Sequence, residues 1–455
     1  MSLSAILSAK VRRCAINHIP SFLLFFTLPW LAWAEGAPWS EPLTLEFALG
    51  LASSDHPQLQ IAAAELERAR AEQSLVEADN GLTATLSARL RWVDPPAVAI
   101  DQSQDDHQLS LSVNKPLYDF GRTAARETAT QAAFDGRELV YRDAVDRHRL
   151  AIMAAFFDVL LADQAYARDT EEMSMTYVRS DRAQQRNELG QLSDIELMES
   201  RSLFQASRVR QAQSAAAQRT TRAHLANLLN HPEHLPSDLA QPQLDFSQRS
   251  IPEEVDAWFA QIEQTNPVLL ALKAQQKSAQ AQLNLARATD NPLLAGQVEV
   301  ADYSRISGNH DSWRAGVTLD VPLFDGGRSG ALVAERRAEL HQVRASLEQQ
   351  RRDLRQRLLE TWTELQTLKV DQQRLAAEQQ YRDLYLDRSR ALYELEVATD
   401  FGDSMVRMTA LRYRIMKMQF STALAWARVD ALLGQGSAGV ANTSDAPEAS
   451  PVQSQ

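Results

Sequence analysis

The sequence predicts an α+β fold built as two copies of one unit, each a strand pair continued by a long helical hairpin. Three observations carry this. The phrase "KPLYDFGR" at Lys115–Arg122 returns 206 residues later as "VPLFDGGR" at Val321–Arg328. The stretches before each phrase alternate strictly between apolar and polar residues. The stretches after each phrase run for more than sixty residues, rich in Ala, Leu, Gln, Arg and Glu and free of proline.

The repeat is wider than the phrase. "HPQLQIAAAELERARAEQSLVEADNGL" (His56–Leu82) resembles "NPVLLALKAQQKSAQAQLNLARATDNPL" (Asn266–Leu293) at an offset of 210. "ELGQLSDI" (Glu188–Ile195) resembles "ELEVATDF" (Glu394–Phe401) at an offset of 206. Two collinear halves indicate an internally duplicated structural unit. The expected organisation is a signal peptide over 1–34, a first repeat over 35–230, a connector over 231–265, a second repeat over 266–434 and a disordered tail over 435–455.

The ends support this division. Lys10, Arg12 and Arg13 precede the apolar run Ile19–Trp33, and Ala32-Trp33-Ala34 has the small-residue pattern of a signal-cleavage site. Cys14, the sole cysteine, lies before that site, so packing or assembly must hold the exported chain without disulfides. The stretch Asn230–Ile251 carries Pro232, Pro236 and Pro242 and is expected to be irregular. The tail has few large apolar residues to bury. After Ala34 no stretch is expected to approach the ~20 apolar residues of a membrane helix.

Within each half the expected order is helix, strand, strand, long helix, turn, long helix. A short helix runs from about Pro57 to Ala78. The long outward helices cover Arg122–Leu189 and Ser329–Leu395, and the return helices end near Leu229 and Leu433. A helix of some 65–70 residues spans ~100 Å. That far exceeds a usual globular helix and suggests antiparallel coiled coil.

The strands read as two-faced. Leu82, Ala84, Leu86, Ala88, Leu90 and Trp92 oppose Thr83, Thr85, Ser87, Arg89 and Arg91. Leu109, Leu111, Val113 and Leu117 oppose Ser110, Ser112 and Asn114. Leu294, Gly296, Val298 and Val300 oppose Gln297 and Glu299, and Trp313, Ala315, Val317, Leu319, Val321 and Leu323 oppose Arg314, Gly316, Thr318 and Asp320. Period two gives a sheet with one apolar and one polar face, a pattern shared by the half-buried sheet of a soluble domain. Strand lengths of about ten residues, aromatics near the strand ends (Trp92, Tyr118, Trp313, Phe324) and charge on the polar face favour a membrane barrel. Four strands do not close a barrel in lipid, where an open edge is not tolerated, so other chains must complete the sheet. Two chains give eight strands and three give twelve; periodicity does not choose.

The duplicated "PL[YF]D-x-G-R" phrase, the "HP"/"NP" opening of the short helix and the "ELG-x-x-S" hairpin tip together resemble the outer-membrane efflux (TolC) family, from about Leu43 to Gly434. The resemblance implies a homotrimer whose twelve strands form one outer-membrane β-barrel, continued by a long α-helical coiled-coil barrel in the periplasm. It implies a passive exit duct for a tripartite efflux pump or a type I secretion system. The implied partners are a periplasmic adaptor protein, an inner-membrane RND or ABC transporter and outer-membrane lipid. The repeated phrase then marks the passage from barrel strand to tunnel helix. Pro116 and Pro322 are expected to end the ladder by removing a donor. Asp119 and Asp325 are expected to cap the first helical turn, and Gly121 and Gly327 to permit close backbone approach. Adaptor docking is expected at the tips, Leu189, Gly190 and Ser193 in one half and Leu395, Glu396 and Thr399 in the other. Glu396 stands where the family has glycine, which sets the second tip apart from the first. Asp400 and Asp403 are candidates for the acidic periplasmic gate, although acids in a first helical turn equally suit the free N–H groups and the macrodipole. Gly402 occupies a position where the family pattern expects an acid. Arg186 and Arg390, with Arg388 and Arg407 nearby, are candidates for the salt links that hold the gate.

No catalytic or cofactor motif is found. There is no Gly-Lys pair for a nucleotide loop, no G-x-S-x-G, no H-E-x-x-H and no cysteine pair. The compact cluster His231, Glu233 and His234 sits in a proline-bounded loop and is not expected to hold a metal. The formal charge of −12 argues against nucleic acid as a partner. The alternative to an exit duct is a periplasmic coiled-coil adaptor or scaffold with a soluble sheet domain.

Overall fold

The computed structural model describes residues 41–52, 55–246, 249–305, 311–395, 397 and 401–436. The expected signal peptide, Cys14, Glu396, Thr399, Asp400 and the tail beyond 436 lie outside these residues. The elements are α1 (Leu45–Gly50), α2 (Pro57–Asp79), β1 (Thr83–Arg89), β2 (Gln108–Tyr118), α3 (Arg122–Glu188) and α4 (Asp194–Leu228) in the first half. Then follow α5 (Asp256–Thr265), α6 (Pro267–Arg287), a 3-10 turn (Ala288–Asp290), β3 (Leu293–Tyr303), β4 (Trp313–Asp320), α7 (Arg328–Glu394) and α8 (Phe401–Leu432).

The four strands make one antiparallel sheet in the order β1-β2-β3-β4, leaving β1 and β4 as free edges. The register keeps the two faces separate. Leu86 lies opposite Leu111, Leu111 opposite Val300 and Val300 opposite Trp313. On the other face Thr85 meets Ser112, Ser112 meets Glu299 and Glu299 meets Arg314, the last pair joined by an ion pair of 2.7 Å. The apolar face is bare: Leu86, Val298, Val317 and Leu319 are all exposed. The central strands have eleven residues each. At ~3.3 Å per residue and a tilt of ~40° they cover about 28 Å along the membrane normal, close to the ~25 Å apolar band of an outer-membrane barrel.

Two expectations for the strand ends need correction. Pro116 does not end the ladder: β2 runs two residues past it, to Tyr118, and the register shifts between Pro116 and Tyr118. The proline sits at an irregularity where its missing N–H is tolerated. The edge strands are also shorter than ten residues, with seven in β1 and eight in β4, because each has a hydrogen-bonding neighbour on one side only.

The helical part pairs α3 with α4 and α7 with α8, and α8 also packs on α3. Its core is built of several clusters. Ile262 of α5, Leu269 of α6, Leu354, Leu358 and Leu365 of α7, and Trp426 and Val429 of α8 make one cluster. Near it, the rings of Phe157 (α3) and Phe420 (α8) stack at 4.4 Å between centroids, both fully buried; each such burial stabilises by roughly 1.5–3 kcal/mol. One window of α3 is, against expectation, long and apolar enough to cross a membrane. Ile152, Met153, Phe156, Phe157 and Val159 of that helix are instead core. The described part of Asn230–Ile251 is irregular as expected: apart from a single-residue bridge from Leu239 to Leu43 it has no helix or strand. It is tied down by a bidentate pair from Arg249 to Asp430 at 3.0 and 2.9 Å, and the ten-residue α5 follows it.

Candidate functional site

Three places can carry function: the strand-to-helix passage, the hairpin tips and the contacts of α8 with its neighbours. The passage is built the same way twice. Asp119 accepts hydrogen bonds from the Gly121 and Thr123 N–H groups. Asp325 accepts from Gly327 and Ser329 at 2.9 and 2.6 Å. Each carboxylate therefore satisfies donors that the new helix leaves free. At Asp119 partial burial works to raise the pKa, but the bonds from Thr123 and Gly121 and the charge of Arg122 hold it below the usual range. At Asp325 the bonds from Ser329 hold it low. Gly121 and Gly327 have φ of 94° and 89°, and a Cβ at either would meet nothing within 4 Å. Left-handed backbone, not close approach, is what requires glycine there. Arg122 then reaches back to the end of α6 and donates to the carbonyls of Ala288, Thr289 and Asn291 at 3.3, 2.9 and 2.9 Å.

The first tip is a capped turn. Gly190 has φ of 71° with open space around it. Ser193 caps α4 through a capping box with Glu196, whose carboxyl is held low chiefly by the hydrogen bonds from Ser193. Asn187 bridges the turn to Leu192 O and Asp194 at 3.0 and 2.9 Å. Leu189 and Leu395, which end α3 and α7, are exposed to the same extent, 71% and 70%. Val397 beside the second tip is exposed as well.

Of the gate candidates, Asp403 forms an ion pair with Arg179 of α3. Arg390 pairs with Glu394 of its own helix at 3.1 Å, and Arg186 lies in the last turn of α3 facing the Glu196 cap. A Cβ at Gly402 would meet the tip of the Met175 side chain, which is flexible enough to move aside. Further links hold α8 from both sides. Thr409 donates to Glu171 of α3, and the Arg168 guanidinium lies 4.8 Å from the Tyr413 ring centroid. On the α7 side Ser404 and Ser389 share a buried 2.9 Å hydrogen bond. Arg414 grips Glu378 with bonds of 3.0 and 2.8 Å, which is the main reason the Glu378 carboxyl lies below its usual range. Arg179, Glu171, Glu378 and Arg414 were not singled out from sequence, where they are ordinary charges on a polar helix. Among the described residues no group of three or more His, Cys, Asp or Glu side chains is gathered to hold a metal; the His231 and His234 rings stand edge-on at 6.5 Å.

A sheet with a bare apolar face runs directly into two helices of about 100 Å, each paired with a return helix of about 50 Å, a build that suits a membrane channel subunit. Residues 258–435 match the family model described as "Outer membrane efflux protein". Protein CyaE of Bordetella pertussis is 26% identical over 318 residues, covering 68% of this chain and 66% of that protein. The alkaline protease secretion protein AprF of Pseudomonas aeruginosa is 23% identical over 418 residues, covering 84% of each. The crystal structure of the Campylobacter jejuni CmeC outer membrane channel superposes with a TM-score of 0.70 at 13% identity, over 95% of this chain and 96% of that one. The second half of the chain thus matches the outer-membrane efflux family, the chain as a whole shares the fold of a solved outer-membrane channel, and its place is the outer membrane.

Proposed function

We propose that the chain is a passive outer-membrane exit duct, serving a tripartite efflux pump or a type I secretion system. In this reading three copies join their sheets into one twelve-stranded barrel and their helical hairpins into one periplasmic tunnel. A periplasmic adaptor and an energised inner-membrane transporter, of the RND or ABC type, dock on the tips and open it. The duct does no chemistry of its own, in keeping with a sequence that lacks a nucleotide loop.

The observation that carries the reading is the sheet. Leu86, Val317 and Leu319 are 67%, 64% and 60% exposed on one face, and both edges of the sheet are unpaired among the described residues. Lipid accepts the face and further copies accept the edges. A soluble adaptor or scaffold gives neither a partner. The name of AprF refers to secretion of a protease, which makes a polypeptide the first cargo to test.

Purification of the full-length chain from outer membranes, with native mass measurement and identification of co-purified proteins, tests this. Trimers accompanied by an ABC transporter support protein secretion, and trimers with an RND pump support efflux. A monomer released with the soluble periplasmic fraction overturns the duct. Docking at the first tip is tested by Gly190→Glu, which is expected to abolish export with trimers intact. Export that survives moves docking elsewhere.

A further inference from the structure

The connection between β1 and β2 is long but built. Past Arg89 the hairpin continues: Trp92 bridges Asp105, the Val93 N–H donates to Gln104 O at 2.9 Å and the Asp106 N–H to Arg91 O at 2.8 Å. The two faces stay separate along this extension. Arg91, on the polar side, forms an ion pair with Asp106, and Trp92, on the apolar side, meets the His107 ring edge-on at 5.2 Å. At the tip the Ala99 N–H donates to Pro96 O at 2.9 Å, and the Gln102 side chain donates to Ala99 O at 2.7 Å. This closed turn holds out Val98 and Ile100, which are 92% and 96% exposed. Both are β-branched and stiff, so covering them costs little side-chain entropy.

We propose that this loop is an outer lid: Val98 and Ile100 of each copy meet those of the other copies over the mouth of the barrel, and Arg305 straps each loop in place. The proposal rests on the oligomeric duct reading and adds a closure at the outer end, far from the hairpin tips.

The direction of the loop carries the proposal. Tyr303, the last residue of β3, lies opposite Gln108 and shares the polar face with Glu299 and Ser112. Arg305 follows two residues later, the spacing that keeps a side chain on one face. Its guanidinium donates to Asp101 O at 2.7 Å, one residue from Ile100. The tip is thus drawn over the polar face, which a duct turns to its lumen, and away from the lipid face. Ser304 ties down the base: its N–H donates to His107 O at 2.9 Å and its hydroxyl to Asp105 O at 3.0 Å. Reach is sufficient. Twelve strands ~4.8 Å apart and tilted ~40° close at a radius of about 12 Å. Half of the loop Val93–Gln104, about six residues at ~3.3 Å each, spans about 20 Å. Val98 and Ile100 therefore arrive at the axis, where the same loop of the other copies covers them. The result is an apolar constriction that sheds water and ions until cargo parts it.

Single cysteines in full-length protein with Cys14→Ser test the lid. Val98→Cys, oxidised from outside intact cells, is expected to link chains in pairs, because the loop tips meet. Asp94→Cys, at the base of the loop, stays near the barrel wall, where copies stand about 20 Å apart, too far for a disulfide, and is expected to link about tenfold less. Arg305→Ala is expected to lower the Val98→Cys yield about fivefold with trimers intact, and Arg305→Lys to restore part of it. Linking through Val98→Cys no better than through Asp94→Cys, in intact trimers, overturns the lid and leaves the duct standing; reaction of that cysteine with a lipid-soluble maleimide then puts the loop on the membrane. A yield that ignores Arg305→Ala overturns the strap. Absence of any trimer in the parent chain overturns lid and duct together.

Discussion

Arg179 of α3 and Asp403 of α8 form an ion pair between the two halves of the chain. Both side chains are about half exposed, so the pair alone contributes ~0.2–1 kcal/mol, a factor of about 1.4–5 in a closed-to-open ratio. It acts with the Glu171–Thr409 and Arg168–Tyr413 contacts further along the same helices. Arg179→Ala is expected to raise resting conductance in planar bilayers by a few-fold. The exchange Arg179→Asp with Asp403→Arg is expected to restore the parent value. Conductance unchanged in the single variant would place the closed-state contact elsewhere. If three copies bring the acids together on an axis, Asp400→Ala with Asp403→Ala is expected to weaken cation preference, because a ring of carboxylates sets the sign of the local field.

The two faces of the sheet are expected to differ in tolerance. Val113→Arg, on the apolar face, should cost ~2–4 kcal/mol near the membrane midplane, and Ser112→Arg, one residue away on the polar face, should cost little. Urea unfolding in lipid vesicles measures the difference. Equal costs would contradict a lipid-facing sheet.

Gly121 and Gly327 hold the left-handed backbone that turns strand into helix. Alanine at either is expected to destabilise by ~1–2 kcal/mol. Nothing stands near the new Cβ, so the cost comes from the backbone alone. Gly121→Asn should recover part of it, since asparagine adopts this conformation more readily. An alanine variant as stable as the parent would contradict this account.

His148 of α3 is buried against His56, with ring centroids 4.3 Å apart, and only a weak contact with the Leu228 backbone favours its protonated form. Burial first, and then the neighbouring imidazole, lower its pKa. The folded state therefore refuses a proton that the unfolded state accepts. Stability is full above the unfolded value of about 6.5 and falls as pH drops below it, until the folded pKa is reached. The counterpart in the second half is Leu354, a core residue. His148→Leu is expected to flatten the stability profile between about pH 7 and 5. A slope unchanged by the substitution would assign the pH dependence to other groups.

The legible parts of this molecule were those written in short-range pattern. Period-two alternation in Leu82–Trp92 and its three companions, and the repetition of the Asp-Gly-Arg turn, needed no knowledge of distant contacts. The local chemistry of the turn was only half visible: capping by Asp119 and Asp325 followed from residue type, but the sign of φ at the glycines did not. Pro116 misled because a bulge tolerates the missing donor that a regular ladder would not. The six residues of α1 and the ten of α5 are too short to show a helical period. Arg179 and Asp403 carry no local mark, because what distinguishes them is a contact between opposite halves of the chain.

Both outward helices contain 67 residues, from Arg122 to Glu188 and from Arg328 to Glu394. Each starts from the same aspartate-anchored turn, so the two act as matched rulers of ~100 Å. In the trimer proposed above, equal helices would bring Leu189 and Leu395 to one level and end the ring in an even rim. An insertion of seven residues into one helix alone would lift its tip by ~10 Å and leave a crenellated mouth that a flat-ended partner meets at only half its points. Length, more than any single side chain, is thus the quantity the duplication keeps in step.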